Sequence, residues 1–262
     1  MTRASVRAMM VVRINSLVKG HSGVHPEVLE QLVSFLNHDI IPYVPRIGSL
    51  GASGDLAPLS HMALALLGEG EVLSEQGQAV PTKVVLTEKG MIGIKLRAKD
   101  GLSLINGTSQ MLAFMTLAER RLSALMPLAD LILCTSMEAR KASVKPSDER
   151  VHQARPHPGQ RLVAERIRAI MADSPILASH ADCDQVQDAY SFRCAPQVHG
   201  AVLQRYHALV ETLEIELNSA TDNPLIFPDP QNPGPHEVIS QGNFHGEVIA
   251  LAADSMSAAL FE

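Results

Sequence analysis

The amino-acid sequence predicts a mainly α-helical fold: a long helical bundle, one irregular loop region and minor short strands. Three features of the 262 residues carry this expectation. Apolar side chains recur at i, i+3, i+4 and i+7 along most of the chain, the period of a one-sided helix. Prolines and glycines gather in a few windows instead of scattering through the apolar runs. The closing stretch, Gly246 to Glu262, distributes its apolar residues around much of a helical circumference, as a helix surrounded by other helices does.

The elements follow in order. Residues 2–18 form a helix with Val6, Met9, Met10, Ile14 and Leu17 near one face, and Gly20 supplies its stop. Pro26 suits the first turn of a second helix over 26–37, which buries Val28, Leu29, Leu32, Val33 and Leu36. Between Pro42 and Pro58, the run of Pro45, Gly48, Gly51 and Gly54 excludes a regular helix and marks a structured loop. Helix resumes near 58–68. Residues 70–104 are broken by Gly77, Pro81, Gly90, Gly93 and Gly101 into turns and short strands. A long helix covers 107–126 through Met111, Phe114, Met115, Leu122 and Leu125, with Met111, Phe114 and Met115 read as core. Amphipathic helices follow over 160–172 and 200–218, and a proline-punctuated exposed connection over 223–236. Asp148-Glu-Arg150 reads as a solvated turn or helix start.

Composition removes several function classes. A formal charge of −6 leaves no basic surplus for phosphates, and 3% aromatic residues leave few stacking platforms, so no nucleic-acid partner is expected. Cys134, Cys183 and Cys194 are odd in number and widely spaced, which points to reduced thiols in a cytoplasmic protein. The N-terminus interleaves arginines with apolar residues and fails as a signal peptide. No apolar stretch reads as long and uncharged enough to span a bilayer, so no membrane partner is expected. The histidines, among them His61, His157, His180 and His199, show neither H-E-x-x-H nor clustered ligand spacing, so no metal is expected.

The run Gly48-Ser-Leu-Gly-Ala-Ser-Gly-Asp-Leu-Ala-Pro-Leu-Ser-His61 stands apart. It is not a nucleophile elbow, since Asp55 stands where G-x-S-x-G needs glycine. It holds neither a Walker lysine nor a dinucleotide fingerprint. A Gly/Ser-rich loop before a helix is ordinarily a turn, but the residues Ala52-Ser53-Gly54 in this setting resemble the signature of the aromatic amino-acid ammonia-lyases. In that family the glycine nitrogen attacks the alanine carbonyl carbon, and loss of two waters closes a five-membered ring with an exocyclic methylidene. Gly54 lacks a Cβ and can approach a carbonyl two residues back, Ala52 is small, and Ser53 supplies a leaving hydroxyl. The methylidene-imidazolone so formed is an electron-poor acceptor for a substrate amine, and no external cofactor is needed.

The resemblance runs across essentially the whole chain. Leu104-Ile-Asn-Gly-Thr108 is similar to the family's asparagine loop, which implies that Asn106 hydrogen-bonds the ring or its adduct. The segment from Asp184 to Gly200 is similar to the one that supplies an active-site tyrosine, here Tyr190, and an arginine, Arg193. Arg193 would hold the substrate carboxylate through two hydrogen bonds. Gln187 is expected one helical turn away, within reach of the site. Gly242-Asn-Phe-His-Gly246 is similar to the segment whose phenylalanine, here Phe244, packs beside the electrophile. Arg155-Pro-His-Pro-Gly-Gln160, His180 with Cys183-Asp-Gln-Val-Gln-Asp188, and Glu216-Leu-Asn-Ser-Ala-Thr-Asp-Asn-Pro224 lean toward the histidine branch.

The resemblance implies elimination of ammonia from L-histidine to give trans-urocanate, by homotetramers whose sites combine several subunits. Residues 1–106 then represent the central part of an N-terminal region carrying the electrophile loop, and 107–262 the first part of a long-helix bundle domain. The chain is expected to be truncated at both ends, with the family's catalytic-base tyrosine upstream of residue 1 and the histidine-branch glutamate beyond residue 262. Alternatives are a phenylalanine or tyrosine lyase, an aminomutase, and a non-catalytic homologue that partners a complete subunit. Asp55 could orient the tripeptide during cyclisation or cap the helix that follows it.

Overall fold

The computed structural model describes residues 1–51, 54–180, 186–229, 231 and 237–262. Its elements run α1 (Arg3–Leu17), α2 (Pro26–Asn37), β1 (Ile41–Pro42), α3 (Leu56–Leu66), β2 (Glu71–Leu73), β3 (Ala79–Pro81), α4 (Thr82–Glu88), α5 (Asp100–Ile105) and α6 (Ser109–Arg140). After a short 3-10 turn at Lys145–Ser147 come α7 (Glu149–Ala154), α8 (Pro158–Met171), α9 (Pro175–Ala178), α10 (Tyr190–Arg193), α11 (Ala195–Leu217), β4 (Leu225–Phe227), β5 (Glu237–Ile239) and α12 (Glu247–Ala259). The fold is mainly α, as the apolar periodicity predicts. The chain divides into two compact units, one of Met1–Leu117 with Thr212–Ala250 and one of Ala118–Glu211 with Leu251–Glu262.

In the first unit, Thr2 caps α1 by accepting from the Ser5 amide, which satisfies one donor that the first turn leaves open. The buried face of α1 carries Val6, Met9, Met10 and Leu17, and it packs against Val28, Leu32 and Phe35 of α2. Leu59, Met62 and Leu66 of α3 are also fully buried. The strands β1, β2 and β3 form a small antiparallel sheet, with Ile41 opposite Leu73 and Val72 opposite Val80. The proline-rich run expected as an exposed connection instead contains β4, paired antiparallel with β5 so that Leu225 lies opposite Ile239. Leu225 is buried, and that burial is what turns a nominal linker into a strand.

In the second unit, Leu133, Cys134 and Met137 of α6 share a core with Val163, Ile167 and Met171 of α8 and with Leu203 of α11. The sequence predicts that the long helix ends near 126, but α6 runs through Pro127 to Arg140. A proline removes one ladder hydrogen bond and crowds the preceding turn. Burial of Leu133, Cys134 and Met137 beyond it offsets that loss. The helices α8 and α11 meet at Gly159 and Gly200, where a Cβ on either would collide with the other's backbone. Gln160 is buried beside that crossing, and its Nε2 lies 3.0 Å from His152 Nδ1. Asp148 caps α7 through the Arg150 amide at 2.9 Å, so the solvated charge run is a helix start. Within Asp100–Arg140 an 18-residue window reaches a mean hydropathy of 1.3. Such a composition serves a helix packed among other helices.

Candidate active site

In the loop before α3 the Leu50 amide donates to the Gly54 carbonyl at 3.1 Å. Gly54 takes φ +67, a backbone state that costs little only without a Cβ. Ala52 and Ser53 lie outside the described residues. Asp55, next in sequence, is 1% exposed. It stands at the N-cap of α3 but makes no side-chain cap there. Its Oδ2 instead accepts from the Gln110 and Met111 amides, at 2.6 and 3.2 Å, at the start of α6. The carboxylate therefore ties the loop before α3 to the helix that begins just after Asn106. Burial pushes Asp55 up to about 7, against the two amide hydrogen bonds and the charge of Arg13.

Asn106 ends α5 in an extended conformation, and Gly107 follows with φ +147, a region that side chains rarely enter. A Cβ at Gly107 would strike the Thr221 carbonyl oxygen and the Arg13 guanidinium. The asparagine turn therefore lies directly on two other segments of the first unit. Asn106 Oδ1, Thr108 Oγ1, Ser109 Oγ, Gln110 Oε1, and Nε and Nη1 of Arg13 are all buried without a protein hydrogen-bond partner. Each such atom costs about 1–3 kcal/mol. Their concentration in one short segment and the arginine beside it suits a place that receives a further polar group. The left-handed Gly54 fits a tripeptide that would supply a methylidene-imidazolone, and the orphaned Asn106 oxygen would accept from an N–H donor such as an amine added to it.

Phe244 is half-buried in a turn closed by the His245 amide on the Gly242 carbonyl at 2.9 Å. That turn is anchored by Gln241, whose amide donates to Asn223 Oδ1 and whose Nε2 donates to the Asp222 carbonyl, each at 2.7 Å.

Tyr190, Arg193 and Gln187 belong to the second unit. Tyr190 and Arg193 open and close the four-residue α10, and the guanidinium carbon stacks 4.6 Å from the Tyr190 ring centroid. Arg193 and Gln187 line the same cavity of about 410 Å³, with Lys141, Lys145 and His180. Gln187 is not one helical turn from the pair, because α10 begins only at Tyr190 and the residues before it are irregular. Asp188 accepts from the Ser143 amide at 2.8 Å and pins that irregular segment to the wall of the cavity. In the same unit His199 Nδ1 lies 2.9 Å from the nearly buried Asp130, which Arg166 also meets at 3.2 Å. Among the described residues no three His, Cys, Asp or Glu side chains gather as metal ligands.

The sequence names Asp222 only within the Glu216–Pro224 motif and gives Arg13 no role. Arg13 falls at i+7 from Val6 on the apolar face of α1 and is wholly buried. A charged residue inside an otherwise apolar helical stripe was the available signal.

The aromatic amino acid lyase family matches residues 1–262. A histidine ammonia-lyase of Sorangium cellulosum is 49% identical over 259 residues, 99% of this chain and 50% of that protein. The crystal structure of histidine ammonia-lyase from Trypanosoma cruzi matches with a TM-score of 0.87 and 41% identity, over 99% of this chain and 47% of that one. A tyrosine aminomutase from Streptomyces globisporus matches with a TM-score of 0.85 and 40% identity, over 98% of this chain and 50% of that one. The chain spans 49–50% of the length of the first curated relatives it matches. Motifs, helical architecture and similarity along the whole chain agree: this chain belongs to the aromatic amino acid lyase family.

Proposed function

We propose that the full-length protein is an ammonia-lyase that converts L-histidine to trans-urocanate, using a methylidene-imidazolone made from Ala52, Ser53 and Gly54. The observation that carries the proposal is the tie from Asp55 to the start of α6, which joins the loop of the tripeptide to the asparagine turn. Identity of 49% with a histidine ammonia-lyase favours histidine as substrate. When formed, the ring is an electrophile that takes up the substrate's amine and makes nitrogen a better leaving group. Asn106 offers its unpartnered oxygen to a hydrogen-bond donor of that site. Arg193 holds the substrate carboxylate as a two-pronged donor, with its plane braced on Tyr190. Gln187 lines the same cavity, and Phe244 supplies an apolar side chain beside the ring. The protein works as a homotetramer in the cytoplasm; exposed Leu125, Leu128, Leu131 and Ile132 on α6 support burial against further subunits.

The test is the intact mass of the full-length protein beside a Ser53→Ala version, with product analysis on L-histidine. A native mass short by two waters, restored in the variant, together with urocanate formation, is the expected result. An unmodified native mass would sink the proposal. Similarity to a tyrosine aminomutase gives a second reading, amine migration on an aromatic amino acid. A β-amino acid product from a panel of substrates would select it.

A further inference from the structure

Arg13 has no exposed surface, yet it lies on the apolar face of α1, where a leucine would pack without the cost of burying a charge. Its Nη2 donates to the Ser103 carbonyl oxygen of α5, the helix that ends at Asn106. Its Nη1 stands against Gly107, close enough that a Cβ there has no room. Asp222 Oδ1 lies 3.9 Å away, and the other oxygen of Asp222 takes Lys99 Nζ at 3.0 Å. The Asp222 carbonyl in turn holds Gln241, which anchors the turn containing Phe244. One guanidinium thus touches the asparagine turn directly and reaches the phenylalanine turn through Asp222, whose carboxylate faces it and whose main-chain carbonyl holds Gln241. Two of its nitrogens, Nε and Nη1, make no protein hydrogen bond, so the fold does not use all that the arginine offers.

We infer that Arg13 is a positioning residue of the candidate site, setting the Asn106–Thr108 and Gly242–His245 turns in register through its buried pair with Asp222. This rests on the ammonia-lyase reading. A buried ion pair contributes little net stability over apolar packing, but its geometry is exacting, and that is what two converging turns require. Burial lowers Arg13 to about 10, which leaves it a cation at neutral pH. Lysine at this position keeps the charge but cannot serve the Ser103 carbonyl, Gly107 and Asp222 from one planar fork.

The experiment uses the full-length protein with Arg13→Lys and, separately, Asp222→Asn. Intact mass, thermal melting, and kcat and KM for L-histidine are measured on each. Ring formation in the native protein is read first, since an unmodified native mass would defeat the ammonia-lyase reading and not this one. With that established, folded Arg13→Lys should lose about tenfold to a hundredfold in kcat per ring-bearing subunit, with KM within about threefold. Failure of a folded variant to lose two waters would be the same positioning fault at an earlier stage, and it supports the inference equally. Native kcat, activity lost only in proportion to unfolded protein, or a rise in KM with kcat held would overturn it. Should Arg13→Lys not fold, Asp222→Asn decides by the same split. Should neither fold, the pair is purely structural and the inference fails.

Discussion

Asp55 adjoins the tripeptide and Arg193 is itself proposed for the chemistry, and the two side chains are held in opposite ways. Asp55 is 1% exposed, bonded to two backbone amides, and under the charge of a wholly buried arginine. Arg193 is half-buried at the edge of a four-residue helix, stacked on a tyrosine that is 73% exposed, with a buried Nε that has no partner. The first arrangement fixes backbone: its hydrogen bonds end on main-chain atoms of another element. The second leaves donors free and suits a ligand that arrives with its own acceptors. In this chain, the buried acid braces the frame, and the half-exposed arginine stays open to a ligand.

The widest separation between the two regions should come from Arg193→Ala. We expect kcat/KM to fall by roughly thirtyfold to a thousandfold, about 2–4 kcal/mol of lost charge-assisted hydrogen bonding. Its melting temperature should stay close to native. A large loss of stability with unchanged kcat/KM would break the comparison, because Arg193 would then be a frame residue as well.

Asp55→Asn probes the other side. The folded value of Asp55, about 7, lies above the ordinary carboxylate range, so from about pH 4 to about pH 7 the folded state retains a proton that the unfolded state has released. Stability from this group therefore falls as pH rises through that window. Asparagine can still accept from the two amides but does not titrate. The stability difference should move in favour of the variant by on the order of 2–4 kcal/mol between about pH 4 and about pH 7, and level off above. Denaturant melts at a series of pH values measure it; a flat difference would mean that Asp55 is ionised in the folded protein across the range.

The smallest effect is expected of Tyr190→Phe. The ring face that braces Arg193 is retained, so stability should change by less than about 0.5 kcal/mol. Any fall in kcat beyond what the brace explains would then report on the hydroxyl itself, measured on protein whose melt is unchanged.

Much of this was legible in the chain. The helical period of Val6, Met9, Met10 and Leu17 marked α1, and Pro26 marked the start of α2, because both signals are local. The tripeptide, the Asn106 turn, Tyr190, Arg193 and Phe244 were found as sequence motifs. What periodicity misread was decided at long range. The periodicity ended the long helix at 126, but the packing of Leu133, Cys134 and Met137 carried α6 on through Pro127 to Arg140. The proline-rich run after Asp222 became half of a strand pair because its partner, β5, follows at Glu237–Ile239.

By itself the sequence determined the helical class and the family and named candidate residues for the chemistry, since these depend on residue type and spacing along the chain. Only the tertiary structure decided where buried charge goes. Asp55 caps α6 and not the helix it precedes, and Arg13 pairs with Asp222 far along the chain. Both choices follow from desolvation: a buried ion must find its partner wherever the fold brings one close, and sequence distance does not limit that search.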